Sequence, residues 1–195
     1  MSRPVDRPIV SAFLALSLDG YIAGPNGDLS WLEPYGTDSP TETGYERLLG
    51  EIDTLVMGRN TYEKVLTFGF WPYTGKRVIV LTNRPFAPVY GEIAQDGPLS
   101  EVLKDLRGCG SRHVYVDGGQ VVCQGLASRL VDEITLSWVP VMLGGGIRLF
   151  DGLSDQVAWT VQSVRQLPSG IVQAVYRDSS DGMRTSSKEA NHEAT

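Results

Sequence analysis

The chain has 195 residues, 42% hydrophobic and 21% charged, enough for one domain that buries roughly 70% of its unfolded surface. Its net charge of −6 argues against nucleic acid or an anionic membrane as partner, because either needs a basic face. No apolar run approaches the ~20 residues that span a bilayer.

The first eight residues, MSRPVDRP, lack the basic, apolar and small-residue parts of a signal peptide, so a cytoplasmic location is expected. Residues 9–16 (IVSAFLAL), apolar on both faces except Ser11, read as a buried strand. The next stretch, SLDGYIAGPNGDLSW, reads as a loop from its glycines, Pro25 and Asn26. Residues 41–49 are a helix candidate, with Tyr45, Leu48 and Leu49 at helical spacing and Glu42 in the first turn. Residues 53–57 are a strand, 61–67 a helix and 77–81 a strand. Residues 99–107 form an amphipathic helix with Leu99, Val102, Leu103 and Leu106 on one side. Residues 114–116 are a strand stopped by Gly118 and Gly119, 120–129 a helix, and 133–139 a strand ended by Pro140. Residues 158–166 alternate apolar and polar, Pro168-Ser169-Gly170 turns the chain, and 171–176 return as the second arm of a hairpin. Strands that alternate with helices and then end in a hairpin imply an α/β fold. Its sheet is mainly parallel, with helices on both faces and an antiparallel edge. Residues 178–195 are polar and poorly periodic, and are expected to be a disordered tail after a single domain, 1–177.

Cys109 and Cys123 fit neither a disulfide framework nor CxxC and read as reduced thiols. His113 and His192 belong to no cluster with metal-ligand spacing, and no metal is expected. In open α/β sheets, ligands bind at the carboxyl ends of the strands. Three such ends carry suggestive residues: Gly58-Arg59-Asn60-Thr61, Thr82-Asn83-Arg84, and Asp117-Gly118-Gly119-Gln120. Glycine lets a backbone approach a ligand, a helix start offers free N–H groups, and a guanidinium suits phosphate. Each junction alone is also plain turn chemistry, and each arginine could be an ordinary solvated charge. Three junctions in one sheet, two of them with an arginine, point to a phosphorylated nucleotide.

Residues 13–23 (FLALSLDGYIA), 55–63 (LVMGRNTYE), 80–84 (VLTNR), 116–119 (VDGG) and 143–150 (LGGGIRLF) resemble the dihydrofolate reductase superfamily. The branch they resemble is that of the C-terminal reductase domain of bifunctional riboflavin-biosynthesis proteins. The resemblance implies a dihydrofolate reductase-like fold, with a mostly parallel central sheet of eight strands, flanking helices and an antiparallel C-terminal hairpin. It also implies NADPH as cofactor. Arg59 and Arg84 would meet the 2′-phosphate, with Gly58, Asn60, Thr61, Thr82 and Asn83 around it. Gly118, Gly119 and Gln120 would lie at the pyrophosphate, Ala15 and Ile22 beside the nicotinamide, and residues 19–31 would be a mobile flap. By position, Glu42 corresponds to the substrate-binding acid and would relay a proton from an apolar pocket. Asp28 is a second candidate acid, and Trp31 a wall of the substrate pocket. The bland alternatives are a helix-end charge for Glu42 and a turn residue for Asp28. The substrate half departs from its relatives, because residues 32–38 carry two acids and no base. Two readings stay open: a reductase of a small heterocycle (a pterin or a ribosylated aminopyrimidine), or a non-catalytic nucleotide-binding or regulatory module. A homodimer is expected from the resemblance alone.

Overall fold

The computed structural model describes residues 7–153 and 156–179. Its strands are β1 (Ile9–Ser17), β2 (Tyr21–Ala23), β3 (Thr54–Gly58), β4 (Arg77–Leu81), β5 (Ile93–Gln95), β6 (His113–Asp117), β7 (Glu133–Val139), β8 (Ile147–Arg148), β9 (Trp159–Gln166) and β10 (Val172–Asp178). Its α-helices are α1 (Pro40–Thr43), α2 (Tyr45–Glu51), α3 (Arg59–Leu66), α4 (Leu99–Gly108) and α5 (Gly119–Ala127). Eight strands form one sheet in the order β5-β4-β3-β6-β1-β7-β10-β9, parallel except where β10 meets β7 and β9.

The central strands are covered on both faces because they are apolar on both. In β1, Val10, Ala12, Leu14 and Leu16 point to one side, where Leu99, Val102, Leu103 and Leu106 of α4 and Val121, Val122 and Leu126 of α5 close the core. On the other side Leu55, Met57, Val78, Val80 and Tyr115 pack under Leu48 of α2 and Tyr62 and Val65 of α3. Each such aliphatic side chain contributes roughly 1.5–3 kcal/mol when buried.

Three local expectations change. The single helix over residues 41–49 is two short helices, because Gly44 takes φ 78°, a left-handed conformation that ends α1 and starts α2 on a new axis. The presumed loop after β1 contains β2, which pairs antiparallel with β8, and a 3-10 helix, Ser30–Tyr35. The strand β5 was not expected; it joins the edge beside β4 through three residues. At the carboxyl end, β10 runs through Asp178, and Ser179 N donates to Ala158 O (3.3 Å). The rest of the expected tail lies outside the described residues. Among the described residues, no helix is long and apolar enough to cross a membrane.

Candidate functional site

The pairing of β1 with β6 ends at Ala12 and Val116, whereas its pairing with β7 continues to Ser17 and Val139. Beyond Ala12 the two central strands therefore part. After β1 the chain enters β2, whose Ile22 lies over Gly119 at the start of α5, and after β6 it enters α5 directly. In open α/β sheets ligands bind in the crevice beyond the carboxyl ends of strands that part in this way. The carbonyl of Phe13 is met by the hydroxyl of Tyr115 (3.2 Å). Ala15 stands on one lip and Asp117 and Gly118 on the other.

Asp117 is a site residue that the sequence reading passed over. It ends an otherwise apolar strand, VYVD, and was counted only as a neighbour of the glycines. Burial raises its carboxyl pKa, while the Gly118 N–H, donating to Oδ1 at 2.8 Å, opposes that shift. Tyr45 packs against Phe13 (5.4 Å between ring centroids) and Tyr115 (6.2 Å). Burial and the Asp117 charge push the Tyr45 phenol up to about 12, and Tyr73 and Tyr115 are raised by the same causes. All three phenols stay protonated in the physiological range. Asp117 is the group here that can hold or release a proton.

The first two strand-end junctions share a cavity, which the third reaches only through Gln120; Thr61, Gly118 and Gly119 do not line it. This cavity, of about 610 Å³ at the ends of β3 and β4, is lined by Gly58, Arg59, Asn60, Thr82, Asn83, Arg84 and Gln120, together with Asp96. Arg59 is pinned at its rim: Nε donates to Glu63 (2.6 Å), Nη1 to the Pro85 carbonyl (3.2 Å), and the guanidinium lies 5.2 Å from the Phe86 ring centre. Arg84 has its backbone N–H on Thr82 Oγ1 (3.2 Å). Thr61 lies behind Gly118, where a Cβ would come within 2.1 Å of its Oγ1; with φ 87°, only glycine suits that position. A Cβ on Gly119 would meet Ile22 Cδ1 at 2.2 Å, so Ile22 rests over the start of α5. Two helix starts and two arginines at one cavity fit a dinucleotide phosphate chain. A second cavity, apolar and about 330 Å³, lies behind β7 and β10, lined by Leu126, Ile134, Trp159 and Tyr176; none of the expected residues line it.

Neither acid expected from the sequence reaches the crevice. Glu42 is exposed and closes a capping box: its Oε2 accepts from Ser39 N (2.7 Å) while Ser39 Oγ accepts from Glu42 N (3.2 Å). The apolar pocket expected around it is absent, because the Gly44 break leaves α1 a surface turn. Asp28 is also exposed, and Ser30 Oγ (2.7 Å) and N (3.2 Å) donate to it. Those bonds lower its pKa, so it is ionised at neutral pH and has no proton to give.

Residues 8–173 match the RibD C-terminal domain. The chain belongs to that family. A protein of Shewanella sp. PV-4 whose crystal structure is described as that of a riboflavin biosynthesis protein is 34% identical. It covers 87% of this chain and 98% of its own, with a TM-score of 0.78. The fold is shared with a diaminohydroxyphosphoribosylaminopyrimidine deaminase/5-amino-6-(5-phosphoribosylamino)uracil reductase of Thermotoga maritima (18% identity, 88% of this chain, 57% of that one, TM-score 0.67). It is shared too with a dihydrofolate reductase of Enterococcus faecalis complexed with NADP(H) (20%, 87% and 96%, TM-score 0.59).

In this RibD-type domain two of the recognisable motifs form one anchor. Asp19 accepts from Ser17 Oγ (2.6 Å), Leu143 N (3.1 Å) and Gly144 N (2.7 Å), which tie SLDG to LGGG and hold its pKa down to about 2. Arg148 stacks over Tyr21 (4.5 Å) beside it. Trp31 packs with Ala15, Val139, Leu167 and Ile171, and its indole N–H is buried without a partner among the described residues.

Proposed function

We propose that this RibD-type domain is an NADPH-dependent reductase of a small heterocycle, of the pterin or 5-amino-6-ribosylaminopyrimidine type. The observation that carries this reading is the cavity at the ends of β3 and β4, where Arg59 and Arg84 stand beside the start of α3. Arg59 and Arg84 would hold the 2′-phosphate, with Gly58, Asn60, Thr61, Thr82 and Asn83 around them. Gly118, Gly119 and Gln120 would take the pyrophosphate, and Ala15 and Ile22 would flank the nicotinamide. When bound, the cofactor supplies a hydride, chemistry for which protein side chains offer no donor. Adding hydride to a C=N bond leaves charge on nitrogen unless a proton is at hand, and Asp117 would hold that proton at its carboxyl. Trp31 would wall the substrate side.

The experiment is NADPH oxidation against a panel of pterins, quinazolines and aminopyrimidine ribosides, with cofactor binding measured in parallel. Turnover of one panel member that depends on Asp117 is the expected result. Tight NADPH binding with no turnover would favour a regulatory, nucleotide-binding module, a reading the acidic stretch 32–38 supports.

A further inference from the structure

The helix α5 ends in a turn that ordinarily takes glycine. Leu130 N donates to Gly125 O (2.8 Å) and Arg129 N to Leu126 O (3.1 Å), the paired bonds of a Schellman ending. That ending needs one residue in the left-handed region, and here it is Arg129, with φ 53°. A side chain disfavours this conformation, because its Cβ crowds the following carbonyl. Among the described residues only one other non-glycine residue adopts it, Asn26, of a type that tolerates it. Arginine brings the turn nothing that glycine lacks, so what distinguishes it is the side chain.

That side chain lines the apolar cavity of about 330 Å³ behind β7 and β10. The walls are Leu126 of α5, Ile134 and Leu136 of β7, Phe150 of the loop after β8, Trp159 of β9 and Tyr176 of β10. Ile134 is the second residue of β7 and the register partner of Tyr176. The cavity therefore lies at the amino end of β7, the opposite end of the sheet from Arg59 and Arg84. Arg129 is exposed, so it stands at the mouth. Among the described residues its side chain has no hydrogen bond, ion pair or ring contact, and Asp151, next to Phe150, does not pair with it.

Size, walls and charge together define an occupant. An apolar cavity of about 150 Å³ holds benzene, so roughly twice that volume has room for one ring and a short chain. Phe150, Trp159 and Tyr176 offer faces and edges for a ring to pack on. An unpaired guanidinium at the mouth offers a fork of N–H donors that matches a carboxylate. We propose that this cavity binds a small aromatic acid, with its ring among the apolar walls and its carboxylate on Arg129. The site is separate from the crevice and from the cavity at β3 and β4, and it stands whether or not the domain is a reductase.

The test is calorimetry on the full chain without cofactor, with 3-phenylpropionate and its neutral amide as probes. The wild type should bind the acid about tenfold more tightly than the amide, as expected for a charge-assisted bond. Arg129→Gly should bring that ratio close to one and leave the amide's affinity as it was. Glycine suits the left-handed turn, so this variant should fold as the wild type does. Ala127, exposed on the last turn of α5 and also in the cavity wall, gives the steric test: Ala127→Phe should weaken both compounds. Arg59→Ala should change neither affinity. Failure of both compounds to bind up to millimolar concentration overturns the proposal. So does a preference that survives Arg129→Gly or that Arg59→Ala removes, and so does binding that Ala127→Phe leaves intact. Sedimentation checks a different occupant. A wild-type dimer that Ala127→Phe turns into a monomer would mean that a second copy covers the cavity, and would overturn the proposal too.

Discussion

Asp117 sits at a site where its burial opposes its own ionisation. Its folded pKa is raised above the unfolded value near 3.9, so the native state binds more protons than the unfolded state in that interval. Stability therefore falls as pH rises through it. Asp117→Asn keeps an oxygen for the Gly118 N–H but cannot ionise. Its melting temperature should exceed that of the wild type at pH 8, and the gap should close as pH falls towards 4. Turnover of any substrate found should drop by about 10²-fold or more, and the wild type's decline in rate with rising pH should disappear in the variant. Identical pH–stability curves for the two proteins would show that the carboxyl is not under this strain. Arg59 makes a second residue-level case. Its bonds to Glu63 and Pro85 hold the guanidinium at the cavity rim before any ligand arrives. Arg59→Ala should weaken NADPH about tenfold and leave NADH nearly unchanged in a fluorescence titration; equal losses would mark it as a structural arginine.

At the level of elements, the long strands and helices were legible because their apolar periodicity is strong. The bounds of β4 and β7 match the expected 77–81 and 133–139. What escaped was short or decided by tertiary contact. A three-residue strand such as β5 or β2 offers no periodicity to read. The Gly44 break was hidden by Tyr45, Leu48 and Leu49, which keep helical spacing although they lie on α2 alone. Glu42 was placed by counting back without gaps from the Met57–Thr61 turn; the structure puts it in an exposed capping box with Ser39. The strand-glycine-helix turns at Gly58 and Gly118 were legible from their glycines. The raised carboxyl of Asp117 was not, since it needs burial that only the fold supplies. The capping geometry makes its own prediction. Ser39→Ala should cost about 1 kcal/mol. Glu42→Gln should cost little, because glutamine also serves at that position of a capping box, and turnover with its pH profile should persist. A collapse of turnover in Glu42→Gln alone would restore the acid role. The contact of Ile22 with Gly119 predicts a compensating pair. Gly119→Ala should lower the melting temperature by displacing Ile22, and adding Ile22→Ala should recover most of the loss; failure to recover would mean that the backbone, and not the Ile22 side chain, sets the limit.

For the whole molecule, the arrangement of the cores matters more than any single contact. The core under α4 and α5 and the core under α2 and α3 share β1, β3 and β6, and the 610 Å³ cavity lies at the ends of β3 and its neighbour β4. A ligand bound there would join the first turns of α3 and α5 across the sheet, and would stabilise the domain as a unit. Binding to the native state alone adds about 2.7 kcal/mol at a ligand concentration one hundred times Kd. A chain of 195 residues gains roughly 2–4 °C per kcal/mol, so NADPH at that level should raise the melting temperature by about 5–10 °C. If the 2′-phosphate is worth tenfold in affinity, NADH at the same concentration reaches only about ten times its Kd. It should then give roughly half the shift. The chain as a whole is acidic, so the local field of Arg59 and Arg84 must act against a net charge of −6. Added salt should therefore narrow the difference between the two cofactors, as it screens partly exposed charges. In Arg59→Ala the NADPH curve should fall towards the NADH curve. A thermal titration of both cofactors, at low and high salt, needs no substrate. Shifts below one degree for both, up to millimolar concentration, would mean that the glycine junctions are turns and nothing more.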